Sequence, residues 1–179
     1  MENLSEQEIV RRGKLEKYKE LGLDPFGQRF DVKYHSSDVK DIANKEIDAF
    51  KENNKGLSEE ELKEQLHQYI EGKNINVTVA GRIMFIRKMG KASFFSIQDR
   101  AGKIQIYIRK DVVGDEQYDL FKLADIGDIV GVEGIVMLTQ TGEITVRCSK
   151  YTHLVKALRP LPESSMVYKM LKKDIVEDT

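Results

Sequence analysis

The chain has 179 residues, enough for one domain with extensions or two small domains, and its 40% hydrophobic and 33% charged content suits a modest core. No apolar run approaches the ~20 residues of a membrane-spanning helix, MENLSEQEIV has no signal-peptide character, and the single cysteine, Cys148, excludes an intrachain disulfide; a cytoplasmic protein with no membrane partner is expected. The net charge of −1 argues against bulk nucleic-acid binding, yet residues 82–110 hold eight basic residues against one acidic residue, Asp99, and it is the local field that steers a phosphate backbone.

In chain order, residues 5–22 read as a helix, with Ser5 and Glu8 as a capping box and Leu4 and Ile9 as a hydrophobic staple. Leu15 and Tyr18 continue one face, and Gly22 with Pro25 stops the helix. Its basic residues, Arg11, Arg12, Lys14, Lys17 and Lys19, suit either a solvated face or an RNA backbone. Residues 24–36 read as linker. A second helix is expected over 37–53, with Val39, Ile42, Ile47 and Phe50 roughly in phase. Leu57, Ser58, Glu61 and Leu62 repeat the cap-and-staple signature and open a third helix to about Glu71.

Residues 77–109 then read as three strands joined by tight turns, because apolar and polar residues alternate. A helix over 115–124, a strand IVGVEGIVML with Gly131 and Gly134 as bend points, a Gln140–Thr141–Gly142 turn and a last strand from Glu143 complete the order. Strand-strand-strand-helix-strand-strand is the order of a five-stranded OB-fold barrel. The fold class expected is therefore mainly β with helices: an OB-fold barrel preceded by N-terminal α-helices. The division expected is a helical extension over 1–72, the barrel over 73–160 and a linker and tail over 161–179.

Alternation assigns Val77, Val79, Ile83, Phe85, Phe95, Ile97, Ile104, Ile106 and Ile108 to the core face. The opposite face carries Arg82, Phe94, Gln98, Gln105, Tyr107 and Arg109. Single-strand recognition needs an aromatic face for stacking, cations for phosphates, and amides or carboxylates for base edges. Phe94 supplies the first, Gln105 and Glu143 the last, and Arg82 a cation at the same face; Arg87, Lys88, Lys91 and Arg109 suit the backbone. A carboxylate at Glu143 repels phosphate, which favours base reading over indiscriminate binding. A uracil, with one N–H between two carbonyls, matches Gln105, Glu143 and Arg82. The plain alternative is a polar barrel surface with lysines guarding its edges.

Catalysis has little support. His35, His67 and His153 lie far apart, no HExxH, CxxC, GxSxG or P-loop spacing occurs, and no metal site is visible. Cys148 alternates with Ile144 and Val146, which points to a buried structural thiol.

VTVAGRI, MGKASFFSIQDRAGKIQIYI, GDIVGVEGIV, TQTGEITV and KALRPLPE together resemble the N-terminal anticodon-binding domain of bacterial-type class II lysyl-tRNA synthetases, and RRGKLEKYKELGLDPF resembles that family's first helix. The resemblance is dense over 77–163, while 37–72 looks longer than the family's usual connection. It implies that the barrel binds the tRNA-Lys anticodon around its central uridine, with Phe94 stacking, Gln105 and Glu143 reading the uridine edge, and Arg82 as a basic contact. It also implies a homodimeric parent enzyme that joins lysine to tRNA at the expense of ATP.

No catalytic motif follows, so the chain alone is expected to be inactive. No cofactor is expected in it, ATP and Mg2+ belonging to the missing catalytic domain. After LPE the family reads close to KFHGLQNVEERYRRRYLDL, whereas this chain reads SSMVYKMLKKDIVEDT. With suitable codons, deleting one base after the Glu163 codon converts the first text into the second and then a stop. Residues 164–179 are therefore expected to be a frameshifted, non-native tail. The alternatives to anticodon recognition are a free-standing OB-fold module for single-stranded nucleic acid and a protein-interaction domain.

Overall fold

The computed structural model describes residues 5–20 and 30–157. The Leu4 half of the staple, the Leu15–Tyr18 side-chain face, the Gly22–Pro25 stop and the 161–179 tail lie outside the described residues. Three helices come first: α1 (Glu6–Glu20), α2 (Ser36–Asn53) and α3 (Glu59–Gly72). The sheet follows as β1 (Asn76–Met89), β2 (Ala92–Asp99) and β3 (Gly102–Arg109), then two short helices, α4 (Lys110–Val113) and α5 (Asp115–Lys122), then β4 (Ile129–Leu138) and β5 (Ile144–Val155).

Local signals explain the helix starts. The Glu8 N–H donates to the Ser5 hydroxyl at 3.2 Å, and the Glu61 N–H donates to the Ser58 hydroxyl at 3.3 Å, each satisfying one of the orphan donors of a helix N-terminus. α4 was not expected from the sequence; it is a single turn of Lys-Asp-Val-Val wedged between β3 and α5.

The five strands close into a barrel in the order β1-β2-β3-β5-β4. Only β3 and β5 run parallel, and all other neighbours are antiparallel. Closure leaves no free edge. β4 and β5 approach so closely at Gly134 that a Cβ there would sit 2.1 Å from the Arg147 carbonyl oxygen. The register between these strands shifts at Glu133 and Gly134, so the glycine lets the barrel wall bend.

Inside, the alternating residues of the strands meet as expected. Val79, Ile83, Phe95, Ile106, Val132 and Val146 are fully buried. Burying each such side chain stabilises the fold by about 1.5–3 kcal/mol. α5 plugs one end, with the Phe121 ring 5.0 Å from Phe95 and 5.7 Å from Tyr151. Cys148 is buried, as its place in the alternation implied.

The helices dock on the barrel itself. α2 lies against β3 and α3 against β4. Val39, Ala43, Ile47, Leu66 and Ile70 join the same buried cluster as the strands, so one core holds the two amphipathic helices and the sheet together.

One core assignment fails. Phe85 is 55% exposed. Ile83 stands opposite Ile97, but Phe85 stands opposite Ser96, so β1 carries one extra residue at this point. Such a bulge flips the parity of everything beyond it. Phe85 turns outward, and Ile86, opposite Phe95, takes the inward place.

Candidate nucleic-acid interface

The outward face is ordered by register. One row runs Arg87, Phe94, Tyr107 across β1, β2 and β3 and reaches Arg147 in β5. The next runs Phe85, Ser96, Gln105. A third runs Arg82, Gln98, Lys103. Directly opposed residues share a face, so side chains from three strands converge on one surface.

A groove of about 500 Å³ opens over the second row, lined by Lys40, Phe85, Phe94, Ser96, Lys103, Gln105 and Glu143, among others. The Phe94 and Tyr107 rings stack at 4.7 Å and 29°. Phe94 lines this groove, while Tyr107 lines a neighbouring one of about 670 Å³ with Lys91, Arg109 and Lys110. The stacked pair is therefore a partition, with one ring on each side.

Gln105 and Glu143 form a polar pair in a lining that is otherwise largely apolar. With the Gln105 amide nitrogen turned toward Glu143, it donates to the two carboxylate oxygens at 3.1 and 2.5 Å. The opposite orientation would set an amide oxygen against a carboxylate, acceptor against acceptor. This arrangement leaves the Gln105 carbonyl oxygen and carboxylate lone pairs to accept, and one amide hydrogen to donate.

Glu143 lies just before β5 rather than in it, on a hairpin that fixes its backbone. Its N–H donates to the Thr139 hydroxyl at 3.0 Å, and its carbonyl accepts the Thr139 N–H at 3.0 Å. Gly142 supplies the turn with φ +85°, a conformation that disfavours any side chain.

Lys40 arrives from α2, which is clasped to the β2–β3 hairpin. The Ser36 N–H and hydroxyl each donate to the Asp99 carboxylate at 2.7 Å, and the same carboxylate accepts from the Ala101 and Gly102 N–H groups. Burial pushes the Asp99 carboxyl up, but the Ser36, Ala101 and Gly102 hydrogen bonds outweigh it and hold it below its ordinary range.

Phe94, Gln105 and Glu143 thus stand together, and the others divide. Arg82 is exposed one register row away, beside Gln98. Arg87 is exposed opposite Phe94, and Lys91 is exposed at the β1–β2 turn. Arg109 is already paired, its guanidinium donating to Asp111 at 3.1 and 2.6 Å. Lys88 is not brought to this face: it stands opposite buried Ser93, its ammonium donates to the Lys122 carbonyl at 3.3 Å, and it lines a groove beside α1. Burial first, and Lys14 second, lower its pKa. Neighbours in a strand face opposite ways, and the bulge decides that Arg87 rather than Lys88 takes the groove face.

Two groove residues escaped the sequence reading, Phe85 and Lys40. The unbroken apolar run Ile83-Met84-Phe85-Ile86 was the available signal for Phe85, since alternation cannot set its phase. Lys40 carried no local signal, because only tertiary docking brings it near.

Residues 77–154 match the tRNA anti-codon family, described as an OB-fold nucleic acid binding domain. A lysine–tRNA ligase of Streptococcus pneumoniae is 48% identical over 164 residues, 91% of this chain and 29% of the relative. One from Staphylococcus aureus is 48% identical over 162 residues, 90% of this chain and 29% of the relative. The barrel has the OB fold, and the chain is similar in sequence to the N-terminal region of lysine–tRNA ligases. The chain spans less than a third of the length of these relatives. The groove on β1–β3 lies within the matched stretch, and Lys40, preceding residue 77, lies outside it.

Proposed function

We propose that this OB-fold domain binds the anticodon loop of tRNA-Lys and reads its central uridine in the groove between Phe94, Gln105 and Glu143. The observation that carries this reading is the Gln105–Glu143 contact at the foot of an accessible aromatic ring. Phe94 stacks the base, an interaction of about 1–3 kcal/mol. The uracil N3–H donates to the Gln105 carbonyl oxygen or the Glu143 carboxylate, and the free Gln105 amide hydrogen donates to a base carbonyl. Cytosine presents an acceptor at N3, so it meets acceptors there and leaves them unpaired, which costs about 1–3 kcal/mol. Arg82, Arg87, Lys91 and Lys103 hold the phosphates on either side, with Arg109 joining them if Asp111 releases it.

The names of the relatives support a wider reading in which this domain serves an enzyme that joins lysine to tRNA, and the family resemblance adds the proposal that this enzyme is a cytoplasmic homodimer that uses ATP. Among the described residues no helix is long and apolar enough to cross a membrane. No group of three or more His, Cys, Asp or Glu among them could hold a metal ion.

The test is titration of the chain with the tRNA-Lys anticodon stem-loop and with the same loop carrying cytidine at the centre. Preference for uridine supports the proposal. Equal binding would make the chain a sequence-indifferent single-strand module, and no binding would make it a protein-interaction domain.

A further inference from the structure

Phe85 is a large apolar side chain, 55% exposed, on the face that the proposed function uses. A ring left in water at such a place needs a reason, and the backbone supplies one: the register shift between Ile83 and Phe85 is what turns it out of the core. Bulges beside binding sites re-aim side chains in this way. Phe85 and Phe94 line the same groove, with Gln105 and Glu143 at its polar end.

Their relation across the strands is diagonal, since Phe85 stands opposite Ser96 and Phe94 precedes Ser96 by two residues. Diagonal neighbours of this kind lie about 7–8 Å apart. A planar base stacked on both faces needs two stacking intervals of about 3.4 Å each. The other face of Phe94 is already covered by Tyr107, so its free face is the one turned to the groove.

We propose that Phe85 is the second wall of a slot for a single base: the uridine ring inserts between Phe85 and Phe94, with its edge on Gln105 and Glu143. This rests on the anticodon reading of the same groove and adds a specificity element to it. A one-sided stack tolerates bases of any extent. A two-walled slot holds one base, excludes a neighbour stacked upon it, and forces that base out of the loop's own stack before its edge is read.

The experiment uses the whole 179-residue chain, which contains no tryptophan. In Phe85→Trp the single indole reports stacking directly. Its emission falls when the uridine stem-loop binds, and stays unquenched with a loop whose central position is abasic. In Phe85→Ala and Phe85→Leu the affinity for the uridine loop falls about 5- to 100-fold, while the thermal midpoint stays at the wild-type value because the ring is exposed.

Loss in Phe94→Ala with no loss in Phe85→Ala overturns the slot and leaves the anticodon reading standing. Equal quenching by the abasic loop also overturns the slot, since the ring then touches something other than the base. Failure of the wild-type chain to bind any loop overturns the anticodon reading and the slot with it.

Discussion

Asp128, in the turn before β4, meets Lys156, just beyond β5, at 2.9 Å with neither side chain exposed. Asp128 also accepts the Ala157 N–H at 2.8 Å and the Asp125 N–H at 3.0 Å, and lies 3.3 Å from His153 Nε2. Asp125 accepts from Lys156 and, at 2.8 Å, from Lys14 of α1. Three chain segments are thereby tied at one end of the barrel: the first helix, the α5–β4 turn and the stretch that follows β5.

Removing one member of a buried ion pair leaves the other uncompensated, which is far worse than replacing both. Asp128→Asn is therefore expected to destabilise the fold by about 3 kcal/mol, the retained Asp125 contact keeping the loss at the low end of the usual range. Asp128→Asn with Lys156→Met should recover most of it. Urea midpoints of the single and double variants check this, and a double variant no better than the single one would contradict it.

The same carboxylates set the response to acid. Burial raises Asp125 and Asp128, but hydrogen bonds and cations win: Lys14 and Lys156 for Asp125, and His153, the Asp125 N–H and Lys156 for Asp128. Both are held below their ordinary value of 3.8. A depressed folded pKa adds stability that is fully present above the unfolded value and is lost as pH falls through the folded one. Stability is thus expected to be level with respect to these groups well above pH 3.8 and to fall steadily below it. Chemical unfolding across acidic pH measures the slope, which should be shallower in Asp128→Asn.

Cys148 offers a clean report on opening. Burial pushes its thiol up to about 12, and the thiolate is the reactive form. At about pH 8, near the ordinary thiol pKa, the folded chain should leave an aromatic disulfide reagent almost unreacted, with one thiol released on adding denaturant. Rapid reaction without denaturant would mean that the barrel opens around β5.

The bulge makes a prediction about neighbouring cations. Arg87 lies on the groove face and Lys88 on the α1 side. Arg87→Ala and Lys91→Ala should weaken RNA binding alike for every loop sequence, each lowering the salt slope by about 0.7, the share of one neutralised phosphate on a single strand. Lys88→Ala should leave that slope unchanged. A slope that moves with Lys88 instead would place the backbone on the other side of β1.

The barrel was legible because period-two alternation, turn glycines and an interposed helix are local signals, and Ile104, Ile106 and Ile108 obey them throughout. The outward placement of Phe94 and Gln105 was legible for the same reason, whereas Glu143 comes to them from the hairpin before β5. Phe85 was misassigned because one inserted residue reverses parity without changing composition. Lys40 was missed because its approach depends on the Ser36–Asp99 clasp, made between residues 63 apart in the chain.

Base reading by the Gln105–Glu143 pair is proposed to act on the base that Phe94 holds. Its most direct test is the ratio of dissociation constants for cytidine-centred and uridine-centred tRNA-Lys stem-loops, measured in the wild-type chain, Gln105→Ala and Glu143→Ala. The wild type is expected to favour uridine about 5- to 150-fold, and both variants to fall close to parity while still binding. A wild-type ratio of one, or a preference that survives in both variants, would contradict the account.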